Sequence, residues 1–236
     1  MNQYAAELGM RDTNYRNATG LPDPEHYTTA TDILKVANAI IGEFPEYYRW
    51  YSQKEFTWNG ITQSNRNGLL WRDSTVDGMK TGFTDTAGYC LVSSALRDGM
   101  RLVAVVLGTD SASGRERESQ TLLNYGYRFY ETRLLLPAGK ALSEARVFKG
   151  EAELAGIGVH RDVWVTVPRG TASLLKPTFT LPAQLMAPLD PAIELGKVRV
   201  SLADRTVAEA GLYPVKAVAT GSLWQQARDT VLLWFE

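Results

Sequence analysis

The 236-residue chain contains one short string suited to holding an anion, Lys80-Thr81-Gly82. The lysine is a point positive charge, the threonine a short hydroxyl donor, and the glycine lets a ligand or another backbone come close. Asp77-Gly78 precedes the string. The loop Phe83-Thr-Asp-Thr-Ala-Gly88 follows it and leads into strand-like sequence. At a sheet edge such residues would suit an anionic ligand. The tripeptide by itself is weak, arising by chance in about one of twenty chains of this size. A solvated strand end is the alternative reading.

Other chemistry is sparse. His26 and His160 are the two histidines and Cys90 the single cysteine. A Cys/His zinc site, which needs about four ligands, is nearly excluded. Cys90 cannot form an intrachain disulfide and reads as a small apolar core residue. Neither histidine has neighbours that favour a Ser-His-Asp triad, and no metal or organic cofactor is expected. The balance of 25 Lys+Arg against 26 Asp+Glu leaves no broad basic surface for nucleic acid. Hydrophobic content of 44% and charged content of 22% exclude wholesale disorder and a disulfide scaffold. No run approaches the roughly 18 apolar residues of a spanning helix. The N-terminus, Met1 to Leu8, lacks the basic and apolar regions of a signal peptide.

The elements around Lys80 follow from local patterns. Tyr4, Ala5 and Leu8 suggest the end of a short helix closed by Gly9. Thr29 and Asp32 predict a helix start, with Ile33, Val36, Ala37, Ile40 and Ile41 at helical spacing behind it. Phe56 and Trp58 alternate with polar residues into Asn59-Gly60, a hairpin turn. Two strands, Tyr89–Ala95 and Arg101–Leu107, are joined by Asp98-Gly99. The next pattern is a helix over Arg115–Glu131. Leu122, Leu123, Tyr125, Tyr127, Phe129 and Tyr130 place most of its apolar face near its end. Pro137-Ala-Gly139 marks a shift to period-2 sequence, as in Val163, Val165 and Val167, and again in Val198, Val200 and Leu202. A small all-β domain is expected there. From Gly221 the period is helical again, and Ser222 with Gln225 matches a capping box. Leu223, Trp224, Ala227, Val231, Trp234 and Phe235 fall within an arc of about 120°. Leu232 and Leu233 lie outside it.

Two longer stretches carry a family resemblance. They are Asn65-Arg-Asn-Gly-Leu-Leu-Trp71 and Val76-Asp-Gly-Met-Lys-Thr-Gly-Phe-Thr-Asp-Thr-Ala-Gly-Tyr89. Tyr15–Leu21, Lys54–Gly60, Gly114-Arg-Glu-Arg-Glu-Ser119, Asp162–Gly170 and Ala187-Pro-Leu189 add to them in the same order. The chain closely resembles the D-alanyl-D-alanine carboxypeptidases, the low-molecular-mass penicillin-binding proteins. Their signature is S-x-x-K, a second serine motif and K-T-G. The resemblance implies a serine that attacks the bond between two terminal D-alanines of a cell-wall stem peptide. It implies too that β-lactams stall the acyl-enzyme. Lys80 would supply positive potential, Thr81 a hydroxyl for the substrate carboxylate, and the backbone N–H of Phe83 one half of the oxyanion hole. Gly82 completes the motif. Arg115 resembles the family arginine that holds the terminal carboxylate, and Arg66 is a candidate pocket residue. For each arginine a salt bridge is the alternative. Phe83 departs from the histidine often found after Lys-Thr-Gly.

The resemblance also exposes a gap. No S-x-x-K and no S-x-N stands before Lys80. Ser173-Leu-Leu-Lys176 fits S-x-x-K as a string, but Pro177 blocks the helix that would put Ser and Lys on one face. The expected architecture is an α/β remnant of a transpeptidase-like domain (1–136), a β-rich antiparallel domain (137–220) and an amphipathic membrane-associating helix (221–236). The remnant should expose apolar sheet surface. The implied location is the periplasm, on the inner membrane, with contact through Leu223, Trp224, Val231, Trp234 and Phe235. The chain alone should lack its nucleophile. A non-catalytic membrane-associated module is the alternative of a different class. A β-lactamase or a peptidoglycan endopeptidase is the alternative within the same fold.

Overall fold

The computed structural model describes residues 1–234, in two compact units that divide between Phe129 and Tyr130. The boundary therefore lies ahead of Pro137. The segment from Gly221 belongs to the second unit and is not a third body.

The first unit begins with α1 (Asn2–Glu7), α2 (Ala30–Glu43) and the one-turn α3 (Pro45–Tyr48). The hairpin β1 (Glu55–Trp58) and β2 (Ile61–Ser64) and the one-turn α4 (Leu69–Arg72) follow. Then come β3 (Val76–Thr84), β4 (Gly88–Arg97), β5 (Met100–Thr109) and α5 (Ala112–Phe129). Thr29 caps α2 by accepting the Asp32 N–H at 3.2 Å. Both two-residue turns take left-handed geometry, with φ of 48° and 75° at Asn59-Gly60 and 49° and 80° at Asp98-Gly99. Those angles match the twist of the paired strands.

Strands β3, β4 and β5 form an antiparallel sheet in that order, which leaves β3 at an edge. On one face Leu91 and Ala95 are buried with Leu123 of α5 and with Leu69 and Leu70 of α4. On the other, Met79, Val92 and Val103 pack with Ala37 and Ile40 of α2 and with Tyr48. Full burial of leucines such as Leu69, Leu91 and Leu123 stabilises the unit by about 1.5–3 kcal/mol each. The bare sheet face expected from the sequence does not form, because both faces carry a helix. Exposed apolar side chains gather instead on the hairpin (Phe56, Trp58, Ile61) and around α3 (Phe44, Tyr47, Trp50). The burial of α5 also differs from its sequence reading. Leu122, Tyr125 and Phe129 are exposed, whereas Gly114, Arg115, Glu116 and Ser119 near its start are buried. Leu123 and Tyr127 in its second half pack on the sheet, while the residues buried nearer its start are polar or glycine.

The second unit runs through β6 (Tyr130–Leu136), β7 (Ser143–Phe148), β8 (Leu154–Gly158), β9 (Val163–Pro168), β10 (Leu175–Thr180), β11 (Leu185–Met186), β12 (Gly196–Leu202) and β13 (Arg205–Pro214). Strands β6 and β9 pair with each other, and the rest form a six-stranded sheet ordered β10-β12-β13-β8-β7-β11. Pairing is antiparallel except between β7 and β11. The alternation read from the sequence is present: Val165, Val167, Val198 and Val200 are buried while Trp164, Thr166, Lys197 and Arg199 point outward.

The last helix, α6 (Leu223–Leu232), starts at a reciprocal capping box between Ser222 and Gln225. Its polar side is held on the domain. Buried Asp229 accepts the Lys149 N–H at 2.6 Å, and Arg228 pairs with Glu153 at 2.6 Å and with Asp229 at 3.0 Å. Leu223, Trp224, Val231 and Trp234 are exposed, Trp224 by 80%. Phe235 lies outside the described residues. No helix among the described residues is long and apolar enough to cross a membrane.

Two measurements test this account. Asp229→Ala should strip hydrogen-exchange protection from the Lys149 amide while Val198 and Val200 in the core keep theirs. The second concerns Asp73. Burial pushes its carboxyl up, but hydrogen bonds from Thr75, Gln120 and Arg97 outweigh this and hold it at about 2. An unfolded aspartate titrates near about 4. The folded value is the lower one, so this stabilisation is complete above about 4 and is lost as pH falls through about 2. The melting temperature should drop across that window, and Asp73→Asn should flatten that part of the curve.

Candidate active site

Lys80, Thr81, Gly82 and Phe83 lie in sequence along edge strand β3, opposite Val92, Leu91, Cys90 and Tyr89 of β4. The structure thus brings the four residues singled out in the sequence onto one strand with an unpaired edge. Such an edge offers free backbone N–H and C=O groups to an extended peptide, which can add as a further strand. Lys80 is exposed and its ammonium contacts the carbonyl of Thr81. The Phe83 ring is half exposed and lies on Tyr89, centroids 4.2 Å apart.

Arg115 is 5% exposed and reaches the strand from α5. Its Nη1 donates to the Gly82 carbonyl at 3.2 Å and, at 3.5 Å, to that of Cys90. Its Nη2 donates to the Arg66 carbonyl at 3.2 Å. The guanidinium carbon lies 5.5 Å from the Tyr89 ring centre. Its terminal donors are therefore on main-chain carbonyls. The Gly82–Phe83 peptide is trans, so its N–H points opposite to its C=O. By fixing the Gly82 carbonyl, Arg115 turns the Phe83 N–H away from itself. Arg66 meets Arg115 through its carbonyl only, and its own side chain is exposed.

Sequence reading missed the residues that brace this strand. Fully buried Asn67 donates from Nδ2 to the Gly78 carbonyl at 3.0 Å. Asn65 accepts the Asn67 N–H and donates to the carbonyls of Tyr51 and Gln53. At the root of β3, Asp77 takes two hydrogen bonds from Arg101, at 2.8 and 2.7 Å, and one from the Tyr48 hydroxyl at 2.6 Å. Burial, reinforced by Asp77, pushes the Tyr48 hydroxyl well above its ordinary value. A Cβ on Gly78 would lie 2.7 Å from that hydroxyl, so this glycine is needed for close approach. The asparagines flank Arg66 in the very stretch that carries the family resemblance, which is the signal that could have marked them.

The remaining candidates lie apart from this arrangement or serve the fold. Ser173 sits in the 3-10 turn Ala172–Leu174 and Lys176 in β10, so no helix face joins them. His26 accepts the Arg16 N–H at 3.4 Å and stands edge-on to Tyr15. Cys90 is half-buried, directly opposite Gly82, and is no deep core residue.

Arg115→Met would leave the Gly82 and Arg66 carbonyls without this donor. We expect a loss of about 1–3 kcal/mol in unfolding free energy and a displaced Phe83 amide resonance. Arg115→Lys should restore the charge without the displaced resonance recovering, because an ammonium lacks the planar fork. A Phe83 resonance unmoved in both variants would contradict the bracing role.

Comparison with known proteins identifies the family. Residues 1–111 match the family described as D-alanyl-D-alanine carboxypeptidase, and residues 130–220 match the penicillin-binding protein 5 C-terminal domain. The D-alanyl-D-alanine carboxypeptidase DacA of Escherichia coli is 39% identical over 237 residues, an alignment that takes in all of this chain and 59% of that protein. The crystal structure of penicillin-binding protein 5 from Haemophilus influenzae superposes with a TM-score of 0.79 at 42% identity, over 92% of this chain and 64% of that one. The carboxypeptidase DacD of Francisella tularensis gives a TM-score of 0.63 at 30% identity, over 93% of this chain and 67% of that one. The chain thus spans about three-fifths of the length of the curated relatives it matches. The two family matches and these relatives together place the chain in the D-alanyl-D-alanine carboxypeptidase family of penicillin-binding proteins.

Proposed function

We propose that this chain supplies the substrate-receiving strand and the C-terminal domain of a serine D-Ala-D-Ala carboxypeptidase. Its substrate is the peptidoglycan stem peptide, and β-lactams acylate the same site. The observation that carries this reading is the exposed edge Lys80–Phe83, whose last amide is aimed by Arg115. A stem peptide ending in D-Ala-D-Ala adds along that edge. Lys80 and Thr81 attract its terminal carboxylate, and the Phe83 N–H stabilises the oxyanion that develops when a serine attacks. Within this sequence no S-x-x-K lies on a helix, so the chain by itself is read as lacking the nucleophile.

We further propose that the protein works in the periplasm, peripheral on the inner membrane. Exposed Leu223, Trp224, Val231 and Trp234 on α6 support that reading, and Phe235 is expected to join them. Arg228, the basic residue of this helix, is already paired with Glu153 and Asp229. Attraction to anionic lipid is therefore small and burial of aromatic surface dominates. The same helix favours a second reading, in which the chain alone is a non-catalytic module at the membrane.

Incubation with a fluorescent penicillin, followed by intact mass and peptide mapping, tests the catalytic reading. The folded 236-residue chain should form no adduct, and an adduct on Ser173 would overturn the assignment. In a protein that joins this chain to an S-x-x-K segment, D-alanine release should fall about 10²–10³-fold on Lys80→Ala. Liposome flotation tests the second part. Trp224→Ala with Trp234→Ala should abolish binding, and added salt should hardly change the wild type.

A further inference from the structure

Among the described residues four buried side-chain atoms find no hydrogen-bond partner, and three of them lie under the candidate site: Arg115 Nε, Ser119 Oγ and Ser93 Oγ. Ser93 and Ser119 are 0% exposed. Their places in the fold bring the three together. Ser93 stands between Leu91 and Ala95 on β4, where pairing with β5 is regular, so its side chain shares their face and looks toward α5. Ser119 lies one turn beyond Arg115 and one turn before Leu123 on the buried stripe of α5. Helical side chains four apart are neighbours, and the Cα–Cβ bond tilts toward the helix N-terminus, which carries the Ser119 hydroxyl back over Arg115. The helix also follows the strand. Arg115 reaches the Cys90 carbonyl, and the Tyr127 hydroxyl reaches that of Ala95. From Arg115 to Tyr127 the helix rises about 18 Å, and from Cys90 to Ala95 the strand rises about 17 Å. One third of the way along both, Ser119 falls beside Leu91–Ser93.

A serine inside a helix commonly gives its proton to the carbonyl four residues back. Ser119 does not, and the two serines do not bond to each other. Buried polar groups are almost always paired, and those that the protein leaves over are met by ordered water. The neighbours here are small. Ala104 is the β5 partner of Ser93, and Ala95 follows on the same face. Short side chains on both layers leave room on the order of one water between helix and sheet. A single water satisfies the set. It accepts the Arg115 Nε–H and one serine hydroxyl and donates to the other, about three hydrogen bonds in all, as is usual for a buried water.

We propose that Arg115 Nε, Ser93 and Ser119 enclose one ordered water, and that through it the two serines act as positioning residues for the guanidinium that aims the Phe83 amide. The planar group is then held at all three nitrogens: Nη1 and Nη2 on carbonyls, Nε on the water. Held so, it cannot roll, and the Gly82 carbonyl and the Phe83 N–H keep one direction. Without the water the two outer nitrogens stay bonded while the plane is free to turn. The site itself rests on burial and hydrogen-bonding capacity; its consequence for catalysis rests on the function proposed above.

The test begins with a high-resolution crystal structure of the 236-residue chain grown with bromide in place of chloride. We expect one water within about 2.7–3.2 Å of Arg115 Nε and of both serine oxygens. A direct Ser93–Ser119 hydrogen bond with no water overturns the proposal, and so does an anomalous bromide signal at that point, which would make it a halide site. The second measurement follows the Arg115 Nε–H and Phe83 amide resonances in the wild type and in Ser93→Ala with Ser119→Ala, a change that keeps nearly the same volume. Both resonances should be displaced in the double variant. If the water is present and neither resonance moves, the positioning role falls. In the protein joined to an S-x-x-K segment, the double variant should lower kcat for D-alanine release by about tenfold, less than a lost oxyanion donor would, with KM little changed. The structure and the resonances need no turnover. An inactive wild-type joined protein with the water in place would therefore count against the proposed function only.

Discussion

An edge strand has a neighbour on one side only and has to be held from elsewhere, and here a buried guanidinium does it. Arg115 enters from below, out of the first turn of α5, and ties together three carbonyls from three segments. Burying a cation is costly unless its donors are satisfied. Here the two terminal nitrogens are met by main-chain carbonyls, while the buried Nε has no hydrogen-bond partner among the described residues. The charge is therefore only partly solvated by these groups. Its field adds to that of Lys80 along the open edge.

The rest of the first unit secures that contact. Bidentate pairing of Arg101 with Asp77 and the Tyr48 hydroxyl fix the root of β3, and Asn67 holds the next carbonyl along. Helix α5 is held on the sheet by Leu123 and by the Tyr127 hydroxyl on the Ala95 carbonyl, while Glu116 pairs with Arg72 beside Gly68, and these contacts set where Arg115 meets the strand. Polar burial here serves positioning, and the apolar packing of Leu69, Leu91 and Leu123 makes it affordable.

What was legible in the sequence was local. Thr29, Asn59-Gly60, Asp98-Gly99 and Ser222 with Gln225 act within a few residues of themselves, so their turns and caps could be read directly. The Lys-Thr-Gly strand and the β-rich second unit were legible too, the first through family resemblance and the second through alternation. The boundary at Phe129 was not, because α5 runs into β6 with no glycine or proline between them. Pro137-Ala-Gly139 proved to be a turn inside the second unit. The exposed side chains of Leu122, Tyr125 and Phe129 misled for another reason: apolar type was taken for burial, while the buried stripe of α5 includes Arg115 and Glu116, whose polar partners are distant in sequence. Asn67 was invisible for the same cause, since its partner Gly78 is distant in sequence.

Helix α6 is fastened through its polar side before it meets anything else. The capping box, the Asp229 carboxylate on the Lys149 amide and the Arg228 pair settle its orientation with its tryptophans outward. Many interfacial helices are unstructured in water and lose conformational entropy when they order on a surface. This one is already ordered, so little of that entropy remains to be lost on contact. Whatever its tryptophans meet therefore meets a face already in place, with the order of the helix set by the domain and not by the contact.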